Sequence, residues 1–527
     1  MLLLNDYLNI YAEKCPERPA VVSAFEEVTY GNLFCEVRII AGYLKKLGLK
    51  EGDSIGILSR NTTSYLKLWY AAIRIGILTV NIHIRSTAED QALMAGFPGC
   101  KYIFYSDEFK DRAEYLHEHT TSVKGILYLD AFSHPGFFRK HENLSTDEMC
   151  RNEDSNAVLL YTSGTTGGPK GVIRTQHMLS VHAESLFMEE GFENENPAML
   201  TASPFFHSAG ILSAYRMLRS GGTLIMPERL DPPKVILLIK RYRPTSVHLL
   251  PPATYERIYD SGLWEGMDFS FVKEVCLSAG KCTMENINHI YEMFPECLLR
   301  PSWGATETGT VTSAHIRKDE IENGAVPVSS IIGKLMPFNE MRLVDEELKD
   351  VPDGAEGEAL VRSDVTCTSY FNRKESREFL PGGWFRTGDI LKYHSDLGYY
   401  EFMDRKKDII KTGGENVCSL KVERAVSSYA PVKECAAVGI SDRKLGEAIG
   451  IAIVLRDDAE DKKQAKGDSS PVQFNESDFL MVCHRYLSKM EMPRYILFLP
   501  ELPKNGIGKI QKNALRKLEH SFRKIML

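Results

Sequence analysis

The sequence predicts an α/β protein, with a large N-terminal α/β body of several subdomains followed by a smaller C-terminal α+β domain. Three observations predict it. At 527 residues the chain is long enough for roughly three to four units of ordinary domain size. Strand-like and helix-like segments alternate through most of its length, the signature of βαβ-built bodies. Near Asp404 the texture changes: the charged cluster DRKKD is followed by Gly413-Gly414 and then by shorter strand and helix patterns. The expected division is residues 1–403 and 404–527.

Within the first part, residues 28–50 open strand-like and continue with apolar residues at helical spacing up to a C-cap at Gly48. A strand at 54–58, a helix at 64–75 closed by Gly76, and a strand at 79–84 follow. The apolar run 157–160 reads as a buried strand, 177–190 as a helix, and 223–226 and 246–250 as further strands between Pro-bounded turns. In the second part 434–440 and 450–455 read as strands. Residues 456–478, rich in Asp, Lys and Ser with few apolar side chains, read as a solvated loop.

Composition excludes several classes. A content of 43% hydrophobic and 26% charged residues is globular, and a net charge of −7 argues against a general nucleic-acid surface. The eleven cysteines show no C-x-x-C pair and no zinc-type spacing, so free buried thiols in a reducing compartment are expected. The N-terminal apolar run is too short for a secretory signal, and no apolar stretch approaches the length of a membrane span. A soluble, cytoplasmic protein is expected.

The segment 161–171, YTSGTTGGPKG, places four glycines, five hydroxyl-bearing side chains and Lys170 in eleven residues. Glycine lets backbone N–H groups turn toward an anion, hydroxyls add donors, and lysine adds a compact positive charge. It is not a Walker loop, because Pro169 precedes the lysine and Gly171 follows it. Taken alone it reads equally as a flexible linker. Three other constellations are weak singly. In SWGATETG, 302–309, Trp303 offers a flat apolar face and Glu307 a magnesium ligand. In WFRTGD, 384–389, Asp389 offers two acceptor oxygens to a ribose. In LPKNGIGKIQK, 502–512, Lys509 stands near an Asn-Gly turn.

Taken together and in order, these segments resemble the adenylate-forming superfamily: acyl-CoA synthetases, nonribosomal-peptide adenylation domains and firefly-type luciferases. The resemblance runs end to end through YTSGTTGGPKG, PFFH at 204–207, SWGATE, FRTGD, DRKKDIIKTGGENV from Asp404, and PKNGIGKI from Pro503. It implies a mobile C-terminal domain and a two-step reaction: a carboxylate attacks the α-phosphorus of ATP to give acyl-AMP and pyrophosphate, and a thiol then takes the acyl group. It also implies roles. Thr162, Ser163, Gly164, Thr165, Thr166 and Lys170 would hold the triphosphate, Thr306 the α-phosphate, and Glu307 the Mg2+. Ser278, Ala279, Gly280, Trp303, Gly304 and Ala305 would line the adenine and acyl sites, and Asp389 and Arg405 would hold ribose and phosphate. Lys509 would be the adenylation lysine, His207 would stand beside the carboxylate, Lys407 would be the hinge, and Lys411, Gly413 and Gly414 would serve the thioester step.

No acidic residue follows PFFH to pair with an α-ammonium group, so a plain aryl or alkyl carboxylic acid is favoured over an amino acid. TGGENV resembles the corresponding stretch of aryl- and acyl-CoA ligases, which favours coenzyme A as acceptor. The chain departs from that pattern at Leu445, where the chlorobenzoate-ligase type has tryptophan, at Ser419 and Lys421, which replace Pro and Glu, and at Lys281, where many relatives have proline. The expected function is an ATP-dependent acid–CoA ligase. The alternatives are an acyl-AMP ligase loading a carrier-protein phosphopantetheine and a non-catalytic nucleotide-binding pseudoenzyme.

Overall fold

A computed structural model describes residues 1–162, 169–190, 196–280, 282–323, 330–371, 373, 376–443, 445–456, 474–504 and 508–525. The fold is mixed α/β, with a large N-terminal body and a smaller C-terminal domain. It divides into two compact units, Met1–Met341 with Leu360–Arg386, and Arg342–Ala359 with Thr387–Leu527. The boundary expected after residue 403 falls inside the second unit.

The first unit contains a six-stranded sheet in the spatial order Gly125–Tyr128, Tyr102–Tyr105, Ser54–Leu58, Leu78–Asn81, Asn156–Thr162, Lys170–Thr175. All neighbours are parallel except the last pair, an antiparallel hairpin that brackets residues 163–168. Val158 and Leu160 point into one core while Leu159 and Tyr161 point into another. Burial on both faces explains why the run reads as continuously apolar instead of alternating. The helices read at 28–50 and 64–75 are Tyr30–Lys46 and Thr63–Arg74, each started by a threonine whose hydroxyl accepts an N–H three residues on. The strand read at 79–84 is Leu78–Asn81, and His83 just beyond it packs against the Phe206 and His207 rings.

A second sheet in the same unit runs in the order Ile331–Leu335, Gly309–Ser313, Leu298–Ala305, Glu274–Leu277, Ser246–His248, Ala198–Thr201, Thr223–Ile225, Pro19–Val22, Glu27–Thr29. The strands from Leu298–Ala305 across to Pro19–Val22 are parallel. Their carboxyl ends, where open α/β sheets bind ligands, carry Ser278–Gly280 and Ser302–Ala305.

In the second unit, Val432–Asp442 and Gly446–Leu455 form a long antiparallel pair extended by Tyr495–Phe498. Cys435, Ala437, Ile451 and Ile453 face one core and Ala436, Val438, Ala452 and Val454 another, the period of two expected of strands. Of the segment expected to be a loop, residues 457–473 lie outside those described. Its last three residues are instead helical: Glu476–Tyr486 starts there because the Asn475 side chain accepts from the N–H groups of Ser477 and Asp478. All eleven cysteines are free thiols, most of them buried, though Cys35 is exposed. Among the described residues no helix is long and apolar enough to cross a membrane.

Candidate active site

Thr162 and Lys170 face each other at the mouth of the hairpin; Ser163, Gly164, Thr165 and Thr166 lie outside the described residues. Lys170 is not a loose cation. Its Nζ is 2.7 Å from Glu378 Oε1 and 4.7 Å from the centre of the Tyr370 ring. The Tyr370 hydroxyl in turn donates to Glu307 Oε1 at 2.9 Å. Burial, then the adjacent Glu307 carboxylate, pushes the phenol well up, so it stays protonated and serves as a donor. Burial opposes ionisation of Glu378, but the hydrogen bonds from Lys170 and Ser376 hold its carboxyl below the ordinary range.

Thr306 and Glu307 sit in the turn that joins Leu298–Ala305 to Gly309–Ser313. The turn is closely braced. Ala305 N–H donates to Thr308 Oγ1 at 3.0 Å, Cys367 N–H to the Glu307 carbonyl at 2.9 Å, and Arg174 Nη2 to the Thr306 carbonyl at 2.5 Å. Gly304 cannot carry a side chain, because a Cβ there would lie 1.9 Å from the Gly309 carbonyl oxygen. Behind the turn, buried His182 accepts from Thr310 N–H through Nε2 and contacts the Tyr215 hydroxyl at 2.6 Å through Nδ1. Burial, then Arg174 and Arg300, lowers that imidazole to about 3, so it is neutral.

Trp303 is 8% exposed, largely covered by the protein itself. Ser278 Oγ donates to the Ser302 carbonyl at 2.9 Å, and Ala279 next to it holds a left-handed φ of 63°, a strained conformation of the kind found at ligand sites. Lys281 lies outside the described residues. His207 packs edge-on against His83, with ring centres 5.0 Å apart. Its Nε2 is buried and has no hydrogen-bond partner among the described residues. Burial, then His83 and Arg85, lowers its imidazole to about 3.

The second unit gathers the remaining predicted residues. Asp389 and Arg405 are opposite each other in an antiparallel pair, with Arg405 Nε 3.7 Å from Asp389 Oδ1. Lys509 is half-buried beside them. Burial, then Arg405, lowers its ammonium to about 8, with Lys407 pushing the same way and Asp389 and Asp408 opposing. Burial and then Arg405 also lower Lys407. Lys411 is exposed, its N–H donating to Glu447 Oε2 at 2.8 Å. Gly413 and Gly414 form the two-residue turn between Ile410–Thr412 and Glu415–Val417, with φ of 58° and 87°. That turn type needs positive φ at both positions, so the backbone itself requires glycine there. Ser419, which departs from the family pattern, donates N–H and Oγ–H to Asp404 Oδ2, each at 2.6 Å, and accepts from Lys512 Nζ at 2.5 Å.

Sequence reasoning missed Tyr370, Glu378, Arg174 and His83. None belongs to a spaced motif. Only an unexplained charge or aromatic beside the motifs could have drawn notice to them.

The described residues fit a nucleotide and carboxylate site in kind. A hydroxyl and a cation flank the glycine loop, a buried imidazole nitrogen lacks a partner, and one carboxylate is held by a neutral donor. No group of three or more metal-ligating side chains occurs among the described residues. A hard cation here would therefore depend on Glu307 together with oxygens of its own ligand, the manner in which magnesium is usually held with phosphates.

Comparison with known proteins identifies the family. The family described as AMP-binding enzyme matches residues 8–371, and that described as the AMP-binding enzyme C-terminal domain matches residues 421–509. The chain is 26% identical over 512 residues to feruloyl-CoA synthase of an Amycolatopsis species, covering 96% of this chain and 97% of the relative. It is 27% identical over 504 residues to long-chain-fatty-acid–CoA ligase FadD13 of Mycobacterium tuberculosis, covering 93% and 92%. Among solved structures, o-succinylbenzoate CoA synthetase (MenE) from Bacillus subtilis, in complex with its acyl-adenylate intermediate, has the same fold, with a TM-score of 0.82, 23% identity and 99% of each chain covered. The chain belongs to the AMP-binding enzyme family, within the class of AMP-forming acid–thiol ligases.

Proposed function

We propose that this protein activates a plain carboxylic acid with ATP, releasing pyrophosphate, and transfers the acyl group from acyl-AMP to coenzyme A. The observation that carries the reading is the cluster of Asp389, Arg405 and Lys407 around Lys509. A carboxylate, a guanidinium and an ammonium lowered to about 8 share one small region.

In the first step a carboxylate oxygen forms a bond to the α-phosphorus of ATP while the bond from that phosphorus to the pyrophosphate oxygen breaks. Negative charge accumulates on the phosphoryl oxygens, so cations held in place supply most of the assistance. Lys509 offers the acid and the α-phosphate one shared positive charge, with Arg405 beside it, while Asp389 accepts the ribose hydroxyls. Lys170, held by Glu378 and Tyr370, supports the departing end together with Thr162 and the glycine loop. Mg2+ bound at Glu307 would supply further charge neutralisation on the phosphates. His207 is neutral, and its Nε2, which has no partner among the described residues, suits a hydrogen bond to the acid. In the second step the thiol sulfur attacks the acyl carbon, the bond to AMP breaks, and the thiol proton is released. Lys407 is the proposed hinge, and Lys411, Gly413 and Gly414 are the proposed surface for the pantetheine arm. Work on free coenzyme A fits a cytoplasmic protein.

The test is a pyrophosphate-release screen with MgATP across aryl, short, medium and long acids, with and without coenzyme A. The proposal expects acid-dependent pyrophosphate together with acyl-CoA. Pyrophosphate and acyl-AMP with no acyl-CoA at saturating coenzyme A would reassign the acceptor to a carrier protein. No release with any acid would remove the ligase reading.

A further inference from the structure

Arg174 carries a buried charge that the proposed steps leave unused. It lies on the strand Lys170–Thr175, four residues beyond Lys170, and is 5% exposed. A buried charge is ordinarily paired with an opposite one. Arg174 instead directs its donors to main chain: Nη2 donates to the Thr306 carbonyl at 2.5 Å, and Nη1 donates to the Val365 carbonyl. Burial works against its charge, and the Glu307 carboxylate opposes that effect. Glu307, however, already accepts from the Tyr370 hydroxyl and is the proposed magnesium ligand. Among the described residues the Arg174 charge therefore has no carboxylate to itself.

The two carbonyls belong to the two segments that hold Glu307. One is the turn itself, and the other is the stretch from Val365 to Phe371. From that stretch Cys367 N–H donates to the Glu307 carbonyl, the Tyr370 hydroxyl donates to Glu307 Oε1, and Phe371 N–H returns to the Gly171 carbonyl at 2.8 Å, on the strand that carries Arg174. Arg174 thus joins strand, turn and brace. A planar guanidinium suits that place, because its fork can serve two acceptors at once. Its grip also fixes a direction. In a trans peptide the carbonyl and the following N–H point opposite ways, so a Thr306 carbonyl drawn to Arg174 turns the Glu307 N–H away from it. The turn's own bonds run from the N–H groups of Ala305 and Thr308.

We infer that Arg174 is a positioning residue for ATP: it holds the Thr306–Glu307 peptide with its N–H side toward the phosphates, and its buried positive charge favours the phosphate-bearing nucleotide over the bare nucleoside. The inference rests on the ligase reading proposed above. A polyanion bound across the turn supplies the compensation that the described residues share with Glu307.

The test is calorimetric binding of MgATP and of adenosine to the full-length protein and to two variants. Arg174→Gln keeps a donor for one carbonyl and removes the charge; Arg174→Lys keeps the charge. For Arg174→Gln, MgATP binding at least about tenfold weaker is expected, with adenosine within about threefold of the original protein. Arg174→Lys should keep the preference for MgATP over adenosine within about threefold. MgATP binding by Arg174→Gln within about threefold of the original overturns the inference and leaves the ligase reading standing. An equal loss for both ligands, the mark of a merely structural role, does the same. Should Arg174→Gln fail to fold, Arg174→Met supplies the neutral variant under the same criteria, and loss of the preference in Arg174→Lys, where the charge is kept, overturns the inference by itself. Binding of neither ligand to the original protein removes the ligase reading as well.

Discussion

In the first unit Lys170 rests between the Glu378 carboxylate and the Tyr370 ring, and Glu307 receives the Tyr370 hydroxyl, so each charge has a partner of the right kind. In the second unit Lys509 shares its surroundings with two further cations, Arg405 and Lys407, against Asp389 and Asp408. The difference teaches how the two regions are suited to different work. A paired cation is a fixed scaffold whose charge is already balanced. Burial, and then the neighbouring cations, depress the pKa of Lys509 and Lys407, and an incoming polyanion relieves the crowding. The proposed chemistry needs both kinds: a firm grip on the departing phosphates and a responsive charge at the bond being made.

The largest expected effect on the first unit comes from Glu307→Gln. It keeps the shape and removes the charge, and should lower pyrophosphate release about 100-fold or more, read at saturating MgATP. Tyr370→Phe keeps the ring over Lys170 but deletes the hydroxyl that holds Glu307. A fall of about tenfold, equivalent to about 1.4 kcal/mol, is expected in the same assay, with a raised magnesium requirement. An unchanged rate would mean that the brace on Glu307 is structural.

The second unit should respond to pH where the first does not. Lys509 is charged below its lowered pKa of about 8 and loses its proton as the pH rises through that value. The kcat/KM for acyl-AMP formation should therefore be flat near neutrality and decline above about pH 8, and Lys509→Arg should remove that decline. A profile that holds level to pH 10 would contradict the electrostatic reading of the cluster. The smallest effect is expected from Ser419→Ala. Losing its hydroxyl bond to buried Asp404 should cost about 1 kcal/mol of stability, measured by thermal unfolding, with little change in pyrophosphate release.

Much of this arrangement is legible in the sequence. The double-faced burial of 157–160 follows from an unbroken apolar run, the 64–75 helix reads as one closed by Gly76, and Asp389, Arg405 and Lys509 stand in ordered motifs. What is not legible lies in long-range pairing. Glu378 meets Lys170 across 208 residues of sequence, and Tyr370 reaches Glu307 across 63; neither spacing is a pattern. The buried pairs of Glu274 with Arg216 and of Arg300 with Glu189 are similarly hidden, because Glu274 opens and Arg300 interrupts an otherwise apolar strand and each finds its partner only in the fold. The resemblance implies that Gly413 and Gly414 serve the thioester step, and the backbone adds a reason for glycine that sequence order alone does not give: both occupy positive φ in a tight turn.

Lys509 is proposed to serve acid activation and not the later thiol step. The direct measurement is the two half-reactions of Lys509→Ala, each followed alone: pyrophosphate release from acid and MgATP, and thioester formation from supplied acyl-AMP and coenzyme A. A loss of about 100-fold or more is expected in the first and a change of less than about threefold in the second. Equal losses in both half-reactions would contradict it.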